Sequence, residues 1–126
     1  MKIWGISGGV LAALLALSLL NSAYLSRCCA QWNSQLTEID RYVQQEDWHT
    51  VSEKLDSFTV SWQKRQTYLH IVIEHRELDN AQALIEKSLV LAQEEDAPEF
   101  RVNNAELLSQ ITLLDEMEQL SIKNVL

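Results

Sequence analysis

The side chains with the most chemical reach in this chain gather at His70, Glu74, His75, Glu77 and Asp79. Imidazole and carboxylate groups are ligands for a divalent metal. His70 and Glu74 are four residues apart, a spacing that puts two side chains on one face of a helix. His75, Glu77 and Asp79 form the tightest candidate for a metal or small-ligand site. The spacing is not that of the His-Glu-x-x-His pattern, and the remaining histidine, His49, reaches the group only through folding. Each residue also has an ordinary role. Asp79 can cap a helix, Glu77 can stand in solvent, and a histidine at a helix C-terminus is favoured by the helix dipole. The structural reading outweighs the metal one, so no cofactor is expected. The chain has no phosphate-binding glycine loop, nucleophile elbow or catalytic cysteine arrangement. Its serines and threonines lack an organised His–Asp partner. The expectation is a protein that is not an enzyme.

The elements that must position these residues are helices. Trp48, Val51, Leu55, Phe58 and Trp62 recur at steps of three, four, three and four, and Leu69 and Val72 extend the register. This predicts a helix of roughly 25 residues with a core built on Trp48, Leu55, Phe58, Trp62 and Leu69. The tryptophans read as buried anchors rather than a stacking platform. Lys64 and Arg65 read as a solvated basic spot on that helix. Upstream, Trp32, Leu36, Ile39 and Val43 form another stripe. Asp47 can cap the second helix, with Thr50 and Glu53 as an overlapping capping box. Asp79 with Gln82 predicts a third helix through Ala81, Leu84, Ile85, Leu89 and Ala92. After a solvated break at Glu94-Glu95-Asp96, Asp96 caps a fourth, with Pro98 in its first turn and Glu99 three residues on. That helix carries Phe100, Leu107, Leu108, Ile111, Leu114 and Met117. Short connections imply antiparallel neighbours. No Asn-Gly or Asp-Gly turn and no period-two alternation supports strands. A 34-residue repeat of the tetratricopeptide kind is also absent.

Address comes from the other end of the chain. Ile3 to Ser26 carries no charge and is flanked by Lys2 and Arg27. As a helix this run is roughly 36 Å long, against a hydrocarbon core of about 30 Å. It holds all three glycines, Gly5, Gly8 and Gly9, and the chain's one proline is Pro98. The run exceeds the usual h-region of a signal peptide. Asn21-Ser22-Ala23 is a poor cleavage site, and Cys28-Cys29-Ala30 lies far downstream. Arg27 before Cys28 does not fit a lipoprotein signal, which needs a small residue there. Residues 1–27 are therefore expected to be a retained signal anchor, and 28–126 an acidic, all-helical extracytoplasmic domain. The expected fold is all-α, a transmembrane helix followed by an antiparallel bundle of about four helices. Lys2 and the terminal amine favour a cytoplasmic N-terminus, while Arg27 pulls the other way. With the domain directly after the apolar run, as in exported proteins, a single-pass cell-membrane protein with its N-terminus in the cytoplasm is expected. A secreted protein freed by cleavage is the alternative.

Formal net charge is -8. All 18 acidic residues lie in 28–126 with eight of the ten basic ones, giving that domain a net of -10. Such a surface repels nucleic acid. Cys28 and Cys29 are adjacent and do not bridge one another without strain. They either pack as small apolar groups or join two anchored chains into a disulfide-linked homodimer, which an oxidising compartment permits.

Five features occur in a recognisable order: the apolar anchor, Asp47-Trp48, Trp62, the segment His75-Arg-Glu77-Leu-Asp79, and a closing Leu120-Ser121-Ile122-Lys123-Asn124-Val125-Leu126. In that order the chain resembles the family catalogued as domain of unknown function 4363, over nearly its whole length. The resemblance implies a bacterial, membrane-anchored helical protein and no activity. It draws attention to His75, Glu77 and Asp79, and to Asn124 as a residue tying the chain's end to the bundle. The functional expectation is a non-enzymatic protein-interaction module. It would be held by lipid contact of its first helix at the outer face of the cytoplasmic membrane, beside a membrane or envelope protein. The alternative is a metal- or ligand-binding domain using His75, Glu77 and Asp79.

Overall fold

With neither proline nor glycine between Val10 and Ala97, no breaker follows Gly9 in the first third of the chain. Accordingly α1 runs unbroken from Lys2 to Gln44. The structure, a computed structural model, describes residues 2–125. The expected boundary at residues 27 and 28 falls inside α1. Its first part projects as a bare arm, and Ile3 to Leu14 are exposed throughout. That part has a mean hydropathy of 2.1 over its most apolar window, so the helix is long and apolar enough to cross a membrane. From Leu25 onward the same helix supplies core residues: Leu25, Cys28, Cys29, Trp32, Leu36, Ile39 and Val43.

The other elements are α2 (Trp48–Lys64), α3 (Gln66–Val72), α4 (His75–Gln93) and α5 (Ala97–Val125). No strand occurs among the described residues. α1 packs on α2 and α5, and α4 on α5 and α2. The four long helices thus close an up-down-up-down ring, as the short connections predict. Hydrogen bonds fix the register of α5 against α1. Asp40 meets Arg101 at 3.0 Å, Leu36 carbonyl meets Asn104 at 3.0 Å, and Ser26 meets Asp115 at 3.2 Å. Asn21 meets Glu118 at 3.2 Å. α5 therefore runs back down α1 and onto the arm.

Two of the connections are built alike. Glu46 has φ 57° and Glu95 φ 54°. Asp47 N–H donates to Tyr42 carbonyl and Glu46 N–H to Val43 carbonyl; Asp96 and Glu95 repeat this with Leu91 and Ala92. Each is a Schellman C-terminus with a glutamate where glycine is usual. Asp47 and Asp96 then cap the next helix, accepting from Thr50 N–H and Glu99 N–H. These two of the three predicted caps are present. Thr50 completes the first by donating to Asp47 at 2.7 Å, while Glu53 pairs with His49 instead.

The equivalence extends along both hairpins. Buried positions match at a constant offset of 49, as in Trp32 and Ala81, Leu36 and Ile85, Ile39 and Ser88, Val43 and Ala92. It continues through Val51 and Phe100, Leu55 and Asn104, Phe58 and Leu107, Trp62 and Ile111. The fold is two helical hairpins with one burial register, packed side by side. Residue identity is kept mainly in the turns, Gln44-Gln45-Glu46-Asp47 and Gln93-Glu94-Glu95-Asp96.

The structure corrects several expectations. The predicted 25-residue helix is divided at Arg65, whose φ of -101° and ψ of 7° end α2. Its guanidinium folds back onto Ser61, donating to the hydroxyl at 2.9 Å and the carbonyl at 3.2 Å, and lies 5.9 Å from the Trp32 ring. Arg65 is thus a packed side chain rather than part of a solvated spot. α4 starts at His75, four residues before Asp79, so Asp79 caps nothing. Glu74, in extended conformation, occupies the cap position without a side-chain hydrogen bond. Of the predicted core, Leu55, Phe58, Trp62 and Leu69 are buried. Trp48 is half-buried and closes the far end of the bundle edge-on to Phe100, centroids 6.1 Å apart. The centre is the pair Trp32 and Trp62, 5.1 Å apart, whose indole N–H groups donate to Ser61 and Gln82.

Candidate functional site

The residues singled out from the sequence lie at the end of the bundle from which the arm emerges. They do not form one cluster. α3 ends at Val72, so His70 and Glu74 do not share a helix face. The bend at Ile73 and Glu74 instead folds His75 onto His70. Their Nδ1 atoms are 3.1 Å apart and their ring centroids 5.0 Å. When both rings are neutral, one nitrogen donates and the other accepts. Glu77 points away and is nearly buried. Its Oε2 and its main-chain carbonyl accept from the Gln110 amide at 2.8 and 3.1 Å, tying α4 to α5. Asp79 is exposed. Among the described residues no group of three or more His, Cys, Asp or Glu side chains converges as metal ligands. His75, Glu77 and Asp79 are therefore not brought together, and the contact that forms instead is His70 with His75. A structural zinc site takes about four ligands, of which such a pair supplies two.

The cysteines behave as small core residues. Cys28 and Cys29 are free and buried. Burial first, then the Asp115 carboxylate, push the Cys29 thiol up to about 12, so it stays protonated and unreactive. A disulfide between two chains requires α1 to part from its neighbours, which sets the geometry against that route to a homodimer.

Beside these groups a polar lock joins the arm to the bundle. Asn21 on α1 donates to Glu118 on α5, and its side-chain oxygen accepts from the Tyr68 hydroxyl. Tyr68 also packs edge-on against Tyr24, centroids 5.0 Å apart. Burial, then the Glu118 charge, raise the Tyr68 phenol to about 12, keeping it a donor across the ordinary pH range. Asn124, expected to tie down the end of the chain, is exposed. The tie is made earlier, at Glu118 and Asp115.

Charge is divided unevenly along the bundle. The arm half, residues 21–34, 59–83 and 107–124, has five basic and six acidic side chains, a net of -1. The far half, residues 35–58 and 84–106, has four basic and twelve acidic, a net of -8. Sequence order hides this division, because each half is assembled from separate stretches.

The model for the domain of unknown function DUF4363 matches residues 19–125. The chain belongs to this family. Its match covers the whole bundle and begins where the arm meets it. No curated protein and no solved structure matches the chain.

Proposed function

We propose that this DUF4363 protein is a single-pass, membrane-anchored helical module without enzymatic activity, whose bundle binds another membrane or envelope protein. One observation carries the reading. The helix that is bare and apolar over Ile3 to Leu14 is the same helix that supplies Leu25, Trp32, Leu36 and Ile39 to the core. A rigid helix shared by anchor and bundle holds the bundle at a fixed height above the bilayer. It also supports retention of the segment over cleavage, because cutting at Ala30 removes Leu25, Cys28 and Cys29 from the core. Lys2 supports a cytoplasmic N-terminus, against the opposing charge of Arg27, and with it a bundle on the outer face.

The far half, at a net of -8, repels phosphate backbones and anionic lipid and suits a basic protein surface. Two measurements test the proposal. The full chain should stay with membranes through alkaline carbonate extraction; its release overturns the anchor. Crosslinking in native membranes followed by pull-down should recover a membrane protein whose capture weakens as salt rises. Recovery of no such partner at low salt overturns the interaction role.

The approach of His70 to His75 favours a second reading, a weak transition-metal site at the arm end. Titration with zinc tests it; binding lost on either His70→Ala or His75→Ala supports it, and no saturable heat removes it.

A further inference from the structure

We infer that the last turns of α5, from Gln119 to Asn124, lie within the bilayer that α1 crosses, packed against α1 at the depth of the lipid headgroups and the adjoining hydrocarbon. This rests on the anchor reading and adds a second membrane contact to it.

Length is the first argument. The uncharged run is bounded by Lys2 and Arg27, so a span must fit between them. α5 already accompanies α1 from Leu15, where Leu15, Ser18, Leu19 and Asn21 face Glu118, Ser121 and Ile122 across a cleft of about 120 Å³. Only Ile3 to Leu14 stands alone, roughly 18 Å of helix against a hydrocarbon core of about 30 Å. Placed as far toward Lys2 as it can go, a span of about 20 residues ends near Ser22. The overlap with α5 is then roughly 12 Å, and sliding the span toward Arg27 enlarges it.

Composition agrees with that placement. Every acidic side chain of α5 precedes Gln119. Glu118, the last of them, is bonded to Asn21 rather than left free. Between Gln119 and Asn124, Leu120 is 57% exposed, Ile122 is half-buried, and Lys123 is the one charged side chain, on a stem long enough to reach the headgroups. Aromatic residues mark the same levels. Trp4 and Tyr24 are separated by roughly 30 Å of helix, the spacing of the two interfacial belts. Tyr68 lies against Tyr24, and nearby Ile71 on α3 is 79% exposed. The charge division fits as well, since the half of the bundle nearest the lipid is close to neutral.

Spin labels on the full chain in phosphatidylcholine vesicles test the inference, with oxygen and a water-soluble nickel chelate as relaxants. Labels are placed at Leu11→Cys, Leu120→Cys, Ser121→Cys and Val102→Cys, all exposed positions, and the chain without an added cysteine gives the background from the buried thiols. The expected result is an oxygen-to-nickel accessibility ratio at Leu11 and Leu120 several-fold above that at Val102, with Ser121 following Leu120. A lipid signal at Leu11 with Leu120 and Ser121 resembling Val102 overturns the inference and leaves the anchor standing. A water signal at Leu11 overturns the anchor reading and this inference with it.

Discussion

Two glutamates sit in the left-handed region, and replacing them with glycine should stabilise the fold. Glu46 and Glu95 have φ of 57° and 54° at the position that follows a helix end. A residue with a Cβ pays roughly 1–2 kcal/mol to adopt that conformation. Glycine avoids this but loses more backbone freedom on folding, about 0.5–1 kcal/mol. Glu46→Gly and Glu95→Gly should each therefore gain about 0.5–1 kcal/mol, a rise of about 2–8 °C in Tm for a domain of this size. Removing a negative charge from a helix C-terminus adds about 0.3 kcal/mol. Alanine separates the two effects, because it removes the charge and keeps the Cβ. Thermal melts of the full chain in mild detergent, followed by circular dichroism at 222 nm, measure all four variants. Glycine should exceed alanine at both sites, and by similar amounts, since the turns share one hydrogen-bond pattern. Alanine matching glycine would refute the backbone account and leave only charge. A gain at one site and none at the other would refute the equivalence of the two hairpins.

The same melts distinguish the acidic residues near His75. Glu77→Ala removes an acceptor of Gln110 between α4 and α5 and should cost about 1–3 kcal/mol, whereas exposed Asp79→Ala should change stability by less than about 0.5 kcal/mol. Equal effects would refute the structural role of Glu77. Cys28 and Cys29 should react with a maleimide at pH 8 only after denaturation, and non-reducing gels should show no covalent dimer; fast labelling of the native chain would contradict their burial. Two hydrogen bonds from Thr50, first from its hydroxyl and then from its backbone, hold the Asp47 carboxyl below its ordinary 3.8. A depressed folded value means the cap stabilises fully above that pH and loses its effect as the pH falls through the folded value. Asp47→Asn should therefore flatten this part of the acid-unfolding curve below about pH 4, and an unchanged curve would refute the assignment. Trp32→Ala, which empties the centre of the bundle, should cost about 3–5 kcal/mol, with a smaller loss arguing that the Trp32–Trp62 contact is not central.

Much of the fold is legible in local pattern. The stripe Val51, Leu55, Phe58 and Trp62 and the caps at Asp47 and Asp96 are decided within one helical turn, and all are where the sequence puts them. The division at Arg65 was not legible, because no breaker marks it and its guanidinium acts through Ser61 and Trp32. The start of α4 is hidden for a similar reason: Asp79 and Gln82 imitate a capping box, while Glu74 begins the helix with no side-chain cap at all. The hairpin repeat left one trace, Gln-x-Glu-Asp at 44–47 and 93–96. Its remaining signal is a register of burial, which appears only when both hairpins are packed.

Sequence alone determined the helical class, the uncharged arm, the order of the helices and the acidic net charge, because each depends on neighbouring residues or on a sum. Tertiary packing decided which distant residues meet. It brought His70 to His75 and took Glu77 away to Gln110. It buried two cysteines that stand at the edge of an apolar run. By running α5 back along α1, it carried the chain's closing residues down to the level of Leu15. That last outcome follows from the pairing register of two antiparallel helices, a quantity no single segment contains.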